Sequence, residues 1–363
     1  MSGKNRGEWS EIYVLFRLLA DGRLYAADED LKRLENVFFP IINIIREERK
    51  NHRTEYRTGD MIRIYVDEEE KISLPASKFE EQAKLLLGRI NEQGNGNRSF
   101  SVPQTEQFMR VIFCERVSAK STDKKDIVVT IHDVHTGYTP TVGFSIKSQL
   151  GSPSTLLNSS QSTNFRYRII YDATCCIEDG DERSSYGSDE RKAVIQARMR
   201  DVISKGGKFE FERIKKQAFE DNLMLIDSRM DLILAETLLY YYRDGIVKCA
   251  DMVAELENEN PLGFRNINAY QYKFKKLLSA AALGMTPASS WNGRDEATGG
   301  YIVVTKEGDV VAYHIYNRDA FEEYLLRNTK YDTPDTKRNK YGSIYTEDGD
   351  EFIDLNLQIR FKK

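Results

Sequence analysis

The chain has 363 residues, of which 40% are hydrophobic and 30% charged, and a formal net charge of -4. Those proportions are ordinary for a globular protein and do not by themselves announce a nucleic-acid binder. No apolar run approaches the ~18–20 residues that span a bilayer. The opening Met1-Ser2-Gly3-Lys4-Asn5-Arg6 lacks the apolar core of a secretory signal, so a cytoplasmic location is expected.

The length allows about two domains, or one large domain with an insertion. The cysteines are Cys114, Cys175, Cys176 and Cys249. They form no CxxC pair, which argues against a zinc ribbon or a disulfide framework and for reduced core residues. Basic clusters at Arg46–Arg57, Lys120–Lys125 and Lys330–Lys340 are either solvated faces or phosphate contacts.

Gly7–Leu19 has the period of an amphipathic helix, with Ile12, Phe16 and Leu19 on one face. The apolar stretch Phe38–Ile45 leads into the first basic run. Lys78–Ile90 is predicted as a helix ended by the segment NEQGNGNRS. From Phe108 to Tyr171 the pattern becomes that of strands: Val111-Ile112-Phe113, Ile127–Ile131, Val142–Ile146 and Tyr167–Tyr171.

A charged break at Glu178–Arg183 precedes a helical region extending to about Ala282. Ser188 is its first N-cap, and Gly206-Gly207 ends the first helix. Leu223, Ile226, Met230, Ile233, Thr237 and Tyr241 mark one face of a long second helix. Strands return at Tyr301–Thr305, Val310–Tyr316 and Leu355–Phe361, with a short helix at Arg318–Leu326 and a polar loop rich in Lys, Arg, Thr and Tyr at Asn328–Tyr345. The order implies an α+β enzyme with a helical insertion. Residues 1–178 are expected to form N-terminal helices and a core, 179–285 a helical region, and 286–363 a strand-rich segment that packs on the core.

The chemistry concentrates in KKDIVVTIHDVHTGYTPTVGFSIKSQLG, Lys124–Gly151. Two β runs flank a turn near Thr136-Gly137, so they pair as an antiparallel hairpin in which opposed residue numbers sum to about 273. That register sets Asp126 opposite Lys147. His132, Asp133 and His135 fall near the turn, on the order of 20 Å away at ~3.3 Å per residue, and lack partners at zinc spacing. Alternation sends Ile127, Val129, Ile131, Phe144 and Ile146 to the core and Asp126, Ser145 and Lys147 to the other face.

A carboxylate beside a lysine on a polar face serves phosphodiester hydrolysis. In that chemistry an Asp oxygen can hold Mg²⁺ beside the scissile phosphate, and a lysine can orient water or offset developing charge. The same pair is also an ordinary cross-strand ion pair in many exposed hairpins.

Gly143-Phe144-Ser145-Ile146-Lys147-Ser148 with Leu150-Gly151, followed by Thr155–Ser159 and Thr163-Asn164-Phe165, resembles the central signature of the HpaII restriction endonuclease family. Gly7–Glu11 with Leu24–Asp28, Glu296–Tyr301, Tyr313–Asn317 and Leu355–Phe361 are similar to other blocks of that family, in the same order over nearly the whole chain. The resemblance implies a PD-(D/E)XK fold, a mixed sheet flanked by helices. It further implies a type II restriction endonuclease that hydrolyses double-stranded DNA with Mg²⁺ at a short, C/G-rich site such as CCGG.

On this resemblance Asp126 is the metal-binding aspartate and Lys147 the catalytic lysine. Ser145 departs from the general motif, which has Glu or Asp there. Glu11, in a G-x-x-x-E pattern on the first helix, resembles the superfamily's N-terminal helix motif and is the expected second metal and catalytic carboxylate.

Asn158, Asn164, Lys337, Arg338 and Lys340 are candidate DNA contacts: lysine and arginine neutralise phosphate, and arginine reads guanine edges. The asparagines also suit turns that satisfy their own chain. A homodimer would match a palindromic target, and a cognate DNA methyltransferase would act on the same site. The other readings are a repair or modification-dependent nuclease of the same fold, and, because of Ser145, a DNA-binding protein without catalysis.

Overall fold

Alternating and helical hydrophobic periods assemble here into two units, each with its own sheets. The computed structural model describes residues 3–28, 30–49, 52–93, 99–117, 125–134, 136–171, 188–314 and 317–362. Cys175, Cys176, His135, the break Glu178–Arg183 and most of the Lys120–Lys125 run lie outside them.

In chain order the elements begin α1 (Arg6–Asp21), β1 (Arg23–Ala27), β2 (Arg33–Arg49), β3 (His52–Arg57), β4 (Met61–Val66), β5 (Glu69–Pro75), α2 (Ala76–Glu92) and α3 (Pro103–Val111). They continue with β6 (Ile127–Ile131), β7 (Thr141–Ser148), β8 (Thr155–Leu157), β9 (Asn164–Tyr171), α4 (Ser188–Ser204), β10 (Gly207–Ile214), α5 (Gln217–Ile226) and α6 (Met230–Leu239). The remainder are α7 (Cys249–Glu259), α8 (Ala269–Leu283), β11 (Gly300–Val304), β12 (Val310–His314), α9 (Arg318–Asn328), β13 (Thr329–Tyr331), α10 (Thr336–Asn339), β14 (Ile344–Glu347), β15 (Asp350–Asn356) and β16 (Ile359–Phe361). The class is α+β, as the order of elements implied.

The first unit comprises Met1–Ser154 and Asp295–Tyr324, the second Thr155–Arg294 and Leu325–Lys362. The segment 286–363 is thus shared between them. In the first unit the strand order is β1-β12-β11-β7-β6-β2-β3-β4-β5. The β11–β7 and β1–β12 pairings are parallel and the others antiparallel. β2 pairs through its first half with β1 and through its second with β6 and β3. The strands β1, β12, β11, β7, β6 and β2 therefore form a hydrogen-bonded circuit.

Helix α1 begins with a capping box, Asn5 accepting from the Glu8 N–H while the Glu8 carboxylate accepts from the Asn5 N–H, and ends at Gly22 in the left-handed region. These devices satisfy terminal groups that would otherwise be orphaned. Its buried residues join one apolar cluster with Phe79 and Leu86 of α2 and with Ile127, Val129, Phe144 and Ile146 of the β6–β7 pair. Phe16, Phe79 and Phe108 meet edge to face at 5.4–6.3 Å between centroids.

The second unit contains a sheet of order β10-β9-β15-β14 and a smaller one of order β13-β16-β8. Four expectations are corrected here. Val111-Ile112-Phe113 is the end of α3 and a turn, because Pro103 starts a helix there and Phe113 takes φ 56°. The single long second helix is interrupted at Asp227, whose carboxylate accepts from the Arg229 N–H and diverts the backbone into a turn. Leu355–Phe361 is two strands in different sheets, since Leu357 turns its N–H to the Thr163 carbonyl. The polar loop expected at Asn328–Tyr345 holds β13, α10 and part of β14.

Arg46, Arg53 and Arg57 of the first basic run each face a carboxylate. Arg46 and Glu48 form a buried ion pair at 2.8 Å, and Arg53 and Arg57 both lie beside Glu55. Cys114 and Cys249 are buried, and burial pushes each thiol up to about 12, as suits inert core cysteines.

Candidate active site

The β6–β7 hairpin pairs Ile127 with Phe144 and Val129 with Val142. The expected register is therefore corrected by two residues: the Asp126 N–H donates to the Phe144 carbonyl at 2.8 Å, and Asp126 faces Ser145 instead of Lys147. The reason lies in the turn, where Asp133 N–H donates to the Tyr138 carbonyl and Asp133 accepts from the Thr136 hydroxyl at 2.7 Å. That local network centres the turn one residue earlier than Thr136-Gly137. A two-residue shift preserves facing, so the apolar and polar sets keep the sides that alternation assigned. Asp133 is 2% exposed and serves the turn, and His132 donates its N–H to Pro40.

Ser145 is buried, and its hydroxyl donates to Asp126 Oδ2 at 3.2 Å. The Ile146 N–H donates to the same oxygen at 2.6 Å. One side-chain donor and one backbone donor thus orient the Asp126 carboxylate. A carboxylate in place of Ser145 would set two negative charges side by side, which is costly in a buried setting. A serine at this position is a partner of Asp126 that sequence reasoning, looking for an acid, passed over.

Lys147 is one step further along β7 on the same side as Ser145. Its ammonium sits 5.3 Å from the Tyr301 ring centroid, and Tyr301 pairs across to Ser145 from the parallel neighbour β11. Tyr301 is itself buried and packs edge-on against Phe321 at 5.1 Å. Burial lowers the Lys147 pKa below the ordinary lysine value, while Asp126 and then Glu11 oppose the drop. Both carboxylates therefore lie within electrostatic reach of this ammonium, although Glu11 is far away in sequence.

Helix α1 brings Glu11 there. The Ser10 hydroxyl donates to Ser148 Oγ at 2.8 Å, and an Arg6 guanidinium N–H donates to the Leu150 carbonyl at 2.8 Å, fastening the helix to the end of β7. Glu8, one turn earlier, is committed to the capping box and to Lys4 at 3.1 Å. The loop entering β11 passes so close that a Cβ on Gly299 would stand 2.7 Å from the Phe144 ring. Only glycine permits that approach, and it holds Phe144 directly before Ser145.

Two carboxylates are hard oxygen donors of the kind Mg²⁺ takes one or two at a time, completing its shell with water and phosphate oxygens. Among the described residues no group of three or more His, Cys, Asp and Glu converges. The donor set fits a two-carboxylate Mg²⁺ site and not a nitrogen- and sulfur-rich zinc site.

The remaining candidates lie in the second unit. Lys337, Arg338 and Lys340 are exposed on and after α10, and Asn158 is exposed after β8. Asn164 is 2% exposed, and its amide donates to the carbonyls of Asn339 and Lys340 at 2.8 and 3.2 Å. A cleft of about 570 Å³ beside α10 is lined by Asn158, Arg191, Asp332, Arg338 and Arg360, among others.

The sequence model of the HpaII restriction endonuclease family matches residues 5–361. A relative described as type II restriction enzyme HpaII, from Haemophilus parainfluenzae, is 43% identical over 362 residues, covering 98% of each chain. No solved structure matches this chain.

Proposed function

Because the chain belongs to the HpaII restriction endonuclease family and is thereby a type II site-specific deoxyribonuclease acting on double-stranded DNA, we propose that Asp126, Lys147 and Glu11 form its catalytic centre and that Asp126 and Glu11 hold Mg²⁺. The observation that carries this reading is that Asp126 is held by Ser145 and the Ile146 N–H on the strand that bears Lys147, while α1, which bears Glu11, is fastened to the end of that same strand. In this reading the arrangement is a PD-(D/E)XK centre in which Glu11 stands for the motif acid absent at Ser145.

When bound, the cation polarises the phosphoryl oxygen and acidifies an attacking water. The protein's own groups do the rest. Ser145 and the Ile146 N–H hold Asp126 in one orientation, so little reorganisation is needed as charge develops. Lys147 stands ready to orient the water or to balance charge on the scissile phosphate. The nearby carboxylates favour its protonated form against the effect of burial.

We further propose that the target is a short C/G-rich sequence such as CCGG, that Asn158, Lys337, Arg338 and Lys340 contact DNA, and that a homodimer matches a palindromic site. A cognate methyltransferase would then protect the same site. Plasmid cleavage with Mg²⁺ and with a chelator, followed by sequencing of the fragment ends, tests the cation and the target together. Undiminished cutting in excess chelator would remove the metal, and ends that share no C/G-rich sequence would remove the target.

A further inference from the structure

The turn that carries Arg338 is unusually well held for a surface segment. Asp335 caps α10 by accepting from the Arg338 N–H at 2.7 Å. Beneath it, Asn164 donates to two successive carbonyls of the turn, and Asn164 Oδ1 accepts from Asn356 Nδ2 at 2.6 Å. Asn356, 1% exposed, also donates to the Ser160 carbonyl at 2.7 Å. Tyr341 donates its hydroxyl to the Pro334 carbonyl at 2.8 Å, bracing the turn across its base. The donors of both buried amides are engaged, and such bonds rigidify what they touch, while Asn356 Oδ1 is buried with no partner among the described residues.

Two features of the turn point outward. Lys340 occupies the left-handed region at φ 50° with its side chain exposed. Glycine would adopt that conformation without strain, whereas a lysine there is held at a conformational cost. Arg338 is exposed, and among the described residues no protein acceptor holds its guanidinium. The neighbouring guanidiniums are engaged instead: Arg360 pairs with Asp332 at 3.0 Å, and Arg191 donates to the Thr333 carbonyl at 3.2 Å.

The adjoining cleft, about 570 Å³, is too narrow for a duplex and has no aromatic ring in its lining on which an everted base would stack. Of the two carboxylates in its lining, Asp332 pairs with Arg360 and Asp335 caps α10. A rigid turn presenting one unpaired guanidinium between two lysines suits the edge of a guanine in duplex DNA. The planar fork matches O6 and N7, and the lysines match the flanking phosphates.

We propose that Arg338 is a specificity-determining residue that reads a guanine, and that Asn164, through Asn356, is the positioning residue that holds it in register. This rests on the family's action on DNA but not on which residues cut. The test is therefore a binding selection from a random duplex pool in the presence of a chelator, where no cleavage occurs.

Arg338→Lys keeps the charge and removes the fork. It is expected to lose about tenfold or more of its discrimination at one G·C position while the salt dependence of binding stays that of the parent. Asn164→Asp, an isostere that cannot donate to the two carbonyls, should lose discrimination at the same position. Its non-specific affinity should stay within about threefold, and it should show a cooperative melt. Lys337→Ala should weaken all sequences alike and lower the salt slope by about one. The proposal is overturned if Arg338→Lys retains full base preference, or if Arg338→Ala behaves like Lys337→Ala. It is equally overturned if Asn164→Asp keeps the parent preference. Failure of the Asp126–Lys147 assignment would appear only in cleavage, leaving these outcomes unaffected.

Discussion

Asp126 and Lys147 play different parts in one small network, and their loss should look alike in cleavage yet unlike unfolding. Asp126→Ala and Lys147→Ala are each expected to abolish cleavage while specific DNA binding remains measurable by gel shift. Near-normal cutting by either variant would remove the assignment. Glu11→Gln should cut at least ~100-fold more slowly, about 2.7 kcal/mol of transition-state stabilisation, and should require more Mg²⁺.

Glu8→Gln is the internal comparison, since Glu8 belongs to the helix cap and glutamine also serves in a capping box. It should cut within about threefold of the parent, an effect under ~1 kcal/mol. Ser145→Ala removes only the hydroxyl that donates to Asp126. Its cleavage rate should fall roughly tenfold, ~1.4 kcal/mol, with DNA affinity unchanged. A rate equal to the parent's would show that the Ile146 N–H suffices.

At the scale of elements, β2 carries both the covering and the liability of the first unit. Its Arg46 is 8% exposed and its partner Glu48 3%. Glu48 also accepts from the N–H groups of Glu115 and Arg116, while Arg46 donates to the Arg116 carbonyl at 2.9 Å. Removing one member leaves an uncompensated buried charge, whereas removing both with apolar groups does not. Glu48→Ala should therefore destabilise the protein by about 3–5 kcal/mol in urea unfolding, and the double change Arg46→Met with Glu48→Leu should recover most of that loss. A single variant as stable as the parent would show that water or a neighbouring group compensates the charge.

For the whole molecule, the net charge of -4 hides a local arrangement. Affinity for DNA depends on which lysines and arginines remain unneutralised, not on the total. Arg46, Arg53 and Arg57 lie beside Glu48 and Glu55, whereas Lys337 and Lys340 are exposed. Changing Lys337 and Lys340 together to alanine should lower the slope of log affinity against log salt by about two. An unchanged slope would make that segment a solvated connector.

The sequence by itself determined the local elements whose signals are short in range. Alternation set the limits of β6 and the facing of β7, and the helical period set α1, whose Asn5–Glu8 cap appeared only in the structure. The blocks of family resemblance also ran the length of the chain, and the family match over residues 5–361 follows them. Only the tertiary structure decided which segments meet. The hairpin register depended on hydrogen bonds inside the Asp133–Tyr138 turn, which no hydrophobic pattern encodes. The role of Ser145 emerged only when its hydroxyl met Asp126 across two strands. Asn164, read from the sequence as a candidate DNA contact or a turn residue, is buried beneath a turn more than a hundred residues away. Periodicity reports which face of an element is apolar, whereas hydrogen bonds and charge pairs between distant segments depend on distances that only the folded chain sets.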